Sequence, residues 1–94
     1  MSAAPDAVEC RVYRASRQAE LYVYLRDGVH PADLPAALVA RTGELVEVMP
    51  LRLHAGRPLA RVDVQAVMAA LAQNGWFVQM PPGAMVNAHL HFGD

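Results

Sequence analysis

Apolar positions along this chain change their period several times, and each change marks an element. Leu21-Tyr22-Val23-Tyr24-Leu25 carries apolar or aromatic residues at every position and is the clearest strand. Side chains alternate along a strand, so Leu21, Val23 and Leu25 share one face and Tyr22 and Tyr24 the other. Neither face is polar, which predicts a sheet covered on both sides by helices. Glu9 to Arg14 forms a short strand upstream. The five residues from Ala15 to Ala19, polar around Ser16, make the two strands a β-hairpin. Asp27-Gly28 ends the second strand. His30-Pro31-Ala32-Asp33 leads into a short helix from Leu34 to Arg41, with Asp33 as N-cap and Pro35 in the first turn, where its missing N–H is no loss. Gly43 closes it.

The next apolar run, Glu44 to Leu53, is a strand with a break in phase. Val46 and Val48 define one face, whereas Leu51 and Leu53 fall out of step with them. Pro50 sits at the change and cannot donate to a ladder, so an edge position or a bulge is expected there. Asp63 to Asn74 is the best helix: Val64, Val67, Met68 and Leu71 recur at i, i+3, i+4 and i+7 and form one apolar stripe. Asp63 can cap its start, and Asn74-Gly75 stops it in the left-handed manner. Trp76 to Met80 is the last strand, ended by Pro81-Pro82. The order is strand, strand, helix, strand, helix, strand, an α+β arrangement in one domain over residues 9–82. Residues 1–8 read as a disordered leader and residues 83–94 as a weakly structured tail.

Several strings, in this order, resemble the YcgL-like family of small bacterial proteins. Val12-Tyr13-Arg14, a short turn and Leu21-Tyr22-Val23-Tyr24 are similar to its opening hairpin; Arg26-Asp27 and a helix opening with Leu34-Pro35 are similar to its next element. Leu59-Ala60-Arg61-Val62-Asp63, Val67 within the helix, and Asn74-Gly75-Trp76-Phe77-Val78-Gln79-Met80-Pro81-Pro82 carry the longest likeness. The resemblance spans about Cys10 to Pro82. It implies an α/β/α sandwich with a small, mainly antiparallel sheet, and it implies no activity and no functional residues. The chain departs from the family where Gly28-Val29 replaces an acidic and an aromatic residue. It departs again after the prolines, where Gly83, Asn87, His89 and His91 stand in place of an acidic, leucine-rich helix.

Composition narrows the chemistry. The 94 residues suit one domain, and 54% hydrophobic with 18% charged residues is globular composition. A net charge of −1 gives no overall drive toward nucleic acid or an anionic membrane. No apolar run approaches the roughly 20 residues of a spanning helix, and residues 1–8 lack the pattern of a signal peptide. A cytoplasmic protein is expected. All eight basic residues are arginine. A chain-wide bias in codon usage explains this better than anion recognition, because the preference is not confined to one segment.

Candidate chemistry is sparse. Arg11, Arg14, Arg17 and Arg26 lie on or beside the hairpin with Tyr13, Tyr22 and Tyr24, a set able to hold phosphate or stack a nucleobase. Arg57, Arg61 and Asp63 precede a helix whose first amides can bind an anion, although a capping Asp63 competes for them. His89-x-His91 could share a metal in an extended segment but has no recognisable further ligands; solvated tail histidines are the simpler reading, and no metal or other cofactor is expected. Cys10, the only cysteine, excludes an internal disulfide and reads as a buried, inert thiol. Ser2 and Ser16 lack the context of a nucleophile, and Gly43 and Gly56 form no phosphate loop. The sequence thus points away from an enzyme, which would need a cleft holding at least two of Arg14, Arg61, Asp63 and the tyrosines. It points toward an interaction module that binds a protein partner through a sheet edge or an apolar face. Anion or RNA binding through the arginines, with Arg61 as a further member, is the alternative.

Overall fold

The computed structural model describes residues 7–59 and 62–81. Its elements follow the expected order: β1 (Ala7–Ala15), β2 (Tyr22–Arg26), a 3-10 turn (Pro31–Asp33), α1 (Ala36–Thr42), β3 (Leu45–His54), α2 (Val64–Gln73) and β4 (Trp76–Gln79). The sheet runs β3-β1-β2-β4, with all three neighbouring pairs antiparallel. β1 and β2 form the hairpin and occupy the centre; β3 and β4 are the edges. β1 begins earlier than expected. Ala7 and Val8, assigned above to a disordered leader, pair with His54 and Leu53, and Val8 is buried.

The register sorts the side chains into two faces. Val8, Cys10, Val12 and Tyr24 share one face with Leu53 and pack under Val64, Val67 and Leu71 of α2. Val23 and Leu25 lie on the other and pack with Leu34 and Leu38, flanked by Tyr13, Leu45, Trp76 and Val78. One helix therefore covers each face, as the lack of a polar face on β2 requires. Leu21, Leu25, Leu38, Leu53, Leu71, Val23 and Val67 are almost wholly excluded from water. Each such aliphatic side chain contributes about 1.5–3 kcal/mol through burial.

The ends of the helices follow local chemistry, with one correction. Asp63 caps α2, its Oδ1 accepting from Gln65 N–H at 3.0 Å. Gly75, at φ +89°, ends that helix by donating its N–H to Leu71 O at 3.0 Å. Asp33, by contrast, does not cap α1. Its Oδ2 accepts the His30 N–H at 3.1 Å and closes the separate 3-10 turn, and Pro35 stands at the N-cap of α1. Leu34-Pro35 is the reason: the residue before a proline is held extended, so the turn cannot run on into the helix.

β3 carries the phase break. Val12 faces Met49 while Tyr13 faces Glu47, so Val48 is an extra residue on β3 with no partner on β1. The bulge therefore sits at Val48, two residues before Pro50. Pro50 itself fits the ladder. Glu9 and Ala15 bond toward β2, through Asp27 N to Glu9 O and Ala15 N to Leu21 O, both at 2.9 Å. Arg11 shares their phase and also faces β2, so its partner Pro50 turns its donor-less nitrogen outward, to the open edge.

Candidate functional site

The four hairpin arginines do not converge. Arg11 and Arg26 occupy opposite faces, since Arg11 pairs with Leu25 and Arg26 with Cys10. Arg11 is held among carboxylates: its Nη1 lies 3.4 Å from Glu47 Oε1 and its Nε 3.9 Å from Asp27 Oδ1. Arg26 reaches across to the end of α2, where its Nη1 donates to Leu71 O at 2.9 Å and Ala72 O at 3.3 Å. A cation among the last carbonyls of a helix is a structural cap. Both arginines border a hollow of about 260 Å³ with Tyr13, Asp27 and His30, but the two carboxylates beside Arg11 offset its charge there.

Arg14 and Arg17 differ from these two. Both are exposed, and neither has a carboxylate within ion-pair distance among the described residues. Arg14 stands on the α2 face between Tyr22 of β2 and Val46 of β3. Arg17 is placed by the hairpin turn, which packs on the link between α1 and β3. Ser16 N–H donates to Glu44 O and Arg17 N–H to Thr42 O, both at 3.0 Å. Gly43 makes that approach possible: at φ +69°, a Cβ added there would fall 2.7 Å from Ser16 Oγ and 3.1 Å from Arg17 Cβ. Arg61, His89 and His91 lie outside the described residues.

The tyrosines do not form one surface. Tyr24 is buried, stacks edge-on against Phe77 with ring centroids 6.0 Å apart, and donates from its hydroxyl to Gln79 Oε1 at 2.8 Å. Tyr22 packs half-buried on the same face, and Tyr13 half-buried on the other. Burial pushes the Cys10 thiol up to about 11, with the neighbouring Glu9 charge adding to the shift, so the thiolate that nucleophilic chemistry needs is disfavoured. Among the described residues, no three His, Cys, Asp or Glu side chains are grouped as metal ligands, and no helix is long and apolar enough to cross a membrane.

A different surface emerges from burial. The exposed large apolar residues among those described are Val39 of α1 and Val46, Val48 and Met49 of β3, between 39% and 50% accessible. Three of the four fall within four consecutive residues of an edge strand. The sequence signalled this stretch only as a break in phase. Val46 and Met49 lie on the α2 face, opposite Arg14 and Val12, and Val48 is the bulged residue. Val39 lies apart, at a shallow hollow of about 620 Å³ that it lines with Pro31, Leu34 and Leu45.

Comparison with known proteins gives a family and no activity. Residues 10–82 match the model of the YcgL domain. A YcgL domain-containing protein of Chromohalobacter salexigens is 38% identical over 73 residues, covering 78% of this chain and 76% of that protein. One from Hahella chejuensis is 37% identical over 78 residues, covering 83% and 74%. One from Vibrio campbellii is 37% identical over 73 residues, covering 78% and 77%. These relatives are named for the domain alone. With the matched span running from β1 through β4 and the residues after it, the chain belongs to the YcgL domain family.

Proposed function

We propose that this protein is a non-enzymatic interaction module, and that it binds a protein partner through the side chains of Val46, Val48 and Met49 on β3. The observation that carries the reading is the placement of three exposed apolar side chains within four residues of an edge strand. Edge strands are where sheets accept partners. The partner engages side chains here more than backbone. Pro50 presents no N–H to the open edge, and the bulge at Val48 interrupts the spacing a regular added strand would need. The anion-binding alternative draws less support, because Arg11 is matched by carboxylates and Arg26 by helix carbonyls. The reading places the module in the cytoplasm as a single domain, in keeping with a lone buried cysteine that is a free thiol.

Site-directed photo-crosslinking in the living bacterium tests this. A photoreactive residue at position 48 is expected to give a discrete protein adduct. The same residue at the exposed position 57 is expected to give none, and V46D with M49D is expected to abolish the first adduct. Equal adducts from both positions, or none from position 48, would refute the reading.

A further inference from the structure

We infer that Asn74-Gly75 is a self-modifying junction, where the chain's own backbone converts the asparagine to aspartate and isoaspartate, and that the cap ending α2 holds this reaction off until the last helical turn opens. The site lies where α2 passes into β4, Gly75 being the residue before Trp76. It is independent of the apolar patch on β3.

The chemistry needs only the chain and water. The Gly75 nitrogen gives up its proton and bonds to Asn74 Cγ. The Cγ–Nδ2 bond breaks, ammonia leaves, and a five-membered imide closes. Water then opens the imide at one of its two carbonyls. Cleavage of the N–Cγ bond leaves an ordinary aspartate. Cleavage at the main-chain carbonyl leaves isoaspartate, whose backbone runs through Cβ and Cγ and is one carbon longer. A following glycine obstructs the attacking nitrogen least, because it carries no Cβ. Of the two asparagines in the chain, Asn74 precedes Gly75 and Asn87 precedes Ala88. Asn74 is exposed, so ammonia can leave and water can enter.

The fold opposes ring closure at the attacking atom. Gly75 N–H, whose proton must go, is donated to Leu71 O at 3.0 Å and to Ala70 O at 3.3 Å. Asn74 keeps helical backbone angles, φ −111° and ψ −22°, and the nitrogen must swing round to the side-chain side before the ring can form. Gly75 is not free to make that swing. It is buried, its carbonyl accepts the Arg26 N–H at 2.9 Å, and a Cβ placed on it would lie 3.2 Å from Val29 Cγ2. Arg26 grips the junction a second time, since its guanidinium donates to Leu71 O and Ala72 O. Reaction therefore waits on local opening of the turn that these bonds close. Its products work against reclosure. Both place a carboxylate at the negative end of α2. The extra carbon of isoaspartate also disturbs the register that sets Trp76 opposite Leu25 and Phe77 opposite Tyr24.

The test incubates the full chain in mildly alkaline buffer, folded and in urea, and follows the mass change from amide to acid. Fragmentation of the tryptic peptide that begins at Val62 separates Asn74 from Asn87 and isoaspartate from aspartate. Amide exchange at Gly75 measures how often its N–H is released in the folded chain. The ratio of folded to unfolded reaction rates at position 74 is expected to match that open fraction within about tenfold, because both processes break the same bonds. Arg26→Met, held below its unfolding transition, should speed the folded reaction about five- to thirtyfold, the factor that a lost cap of this kind carries. Arg14→Met should leave the rate unchanged. No change at position 74 in the unfolded chain overturns the modification itself. Equal rates in the folded and unfolded chain, or in Arg26→Met and the parent, overturn control by the cap. A folded reaction far slower than the open fraction of Gly75 also overturns it, in favour of global unfolding as the gate. Should Arg26→Met not fold, the match between reaction and exchange in the parent decides alone.

Discussion

The clearest division between a structural and a functional arginine is open to measurement at Arg26. Its Nη1 bonds at 2.9 Å to Leu71 O in partly buried surroundings and at 3.3 Å to Ala72 O in exposed ones. Arg26→Met keeps much of the apolar stem and removes the guanidinium, leaving the last turn of α2 to be satisfied by water. The shorter bond has a charged donor and sits at the negative end of a helix. Discounted for its exposure, the loss comes to about 1–2 kcal/mol. For a domain of this size that lowers Tm by roughly 5–15 °C. Arg14→Met is the control, because Arg14 makes no ion pair among the described residues; it should stay within about 0.5 kcal/mol of the parent. Urea denaturation followed by circular dichroism gives both values. Amide exchange should also rise at the C-terminal turn of α2 in the Arg26 variant alone. If Arg26→Met and Arg14→Met unfold at the same urea concentration as the parent, the capping role is wrong and Arg26 becomes free for the hollow it shares with Arg11.

Two other measurements address the core and the helix start. Cys10, raised from 9.0 to about 11 by burial and by Glu9, keeps its proton in the folded chain after the unfolded chain has lost it. Stability is therefore unaffected by this group below pH 9 and falls as pH rises from 9 toward 11. Cys10→Ala should flatten that slope in pH-dependent urea melts, and an unchanged slope would contradict the assignment. Asp63→Ala should lose about 1 kcal/mol with the cap to Gln65 N–H, while Asp63→Asn should lose little. Equal losses in the two variants would show that charge, not the hydrogen bond, holds the helix start.

Much of the fold was legible because local signals agreed with one another. The stripe of Val64, Val67 and Leu71 is the buried face of α2, and the caps at Asp63 and Gly75 stand where their residue types suggest. The doubly apolar β2 correctly announced cover on both sides. What was not legible depended on contacts distant in sequence. Arg11 and Arg26 look like neighbours on a hairpin, but register places them on opposite faces, and their partners lie 36 and 45 residues away. Tyr24 looks like a stacking platform until Phe77 and Gln79 arrive from β4 to cover it. Asp33 misled because the cap and the turn it closes use the same short side chain, and only the extended residue before Pro35 decides between them.

The bulge at Val48 explains both the phase break and the exposed surface. Upstream of it, Val46 shares the α2 face; downstream, Met49, Leu51 and Leu53 do. The inserted residue thus shifts the parity so that the apolar residues on either side of it fall on one face, and Glu47 and Arg52 fall on the other, beside Arg11 and Glu9. A regular strand with this sequence would have sent Val46 to the face of Leu34 and Leu38, and Leu51 and Leu53 to the opposite one. The same insertion breaks the spacing of the outer backbone groups, and Pro50 removes a donor from that side. Protection from edge-to-edge pairing and display of apolar side chains therefore come from one local device. A strand built this way discourages indiscriminate strand addition, while Val46, Val48 and Met49 stay available to a partner that recognises side chains.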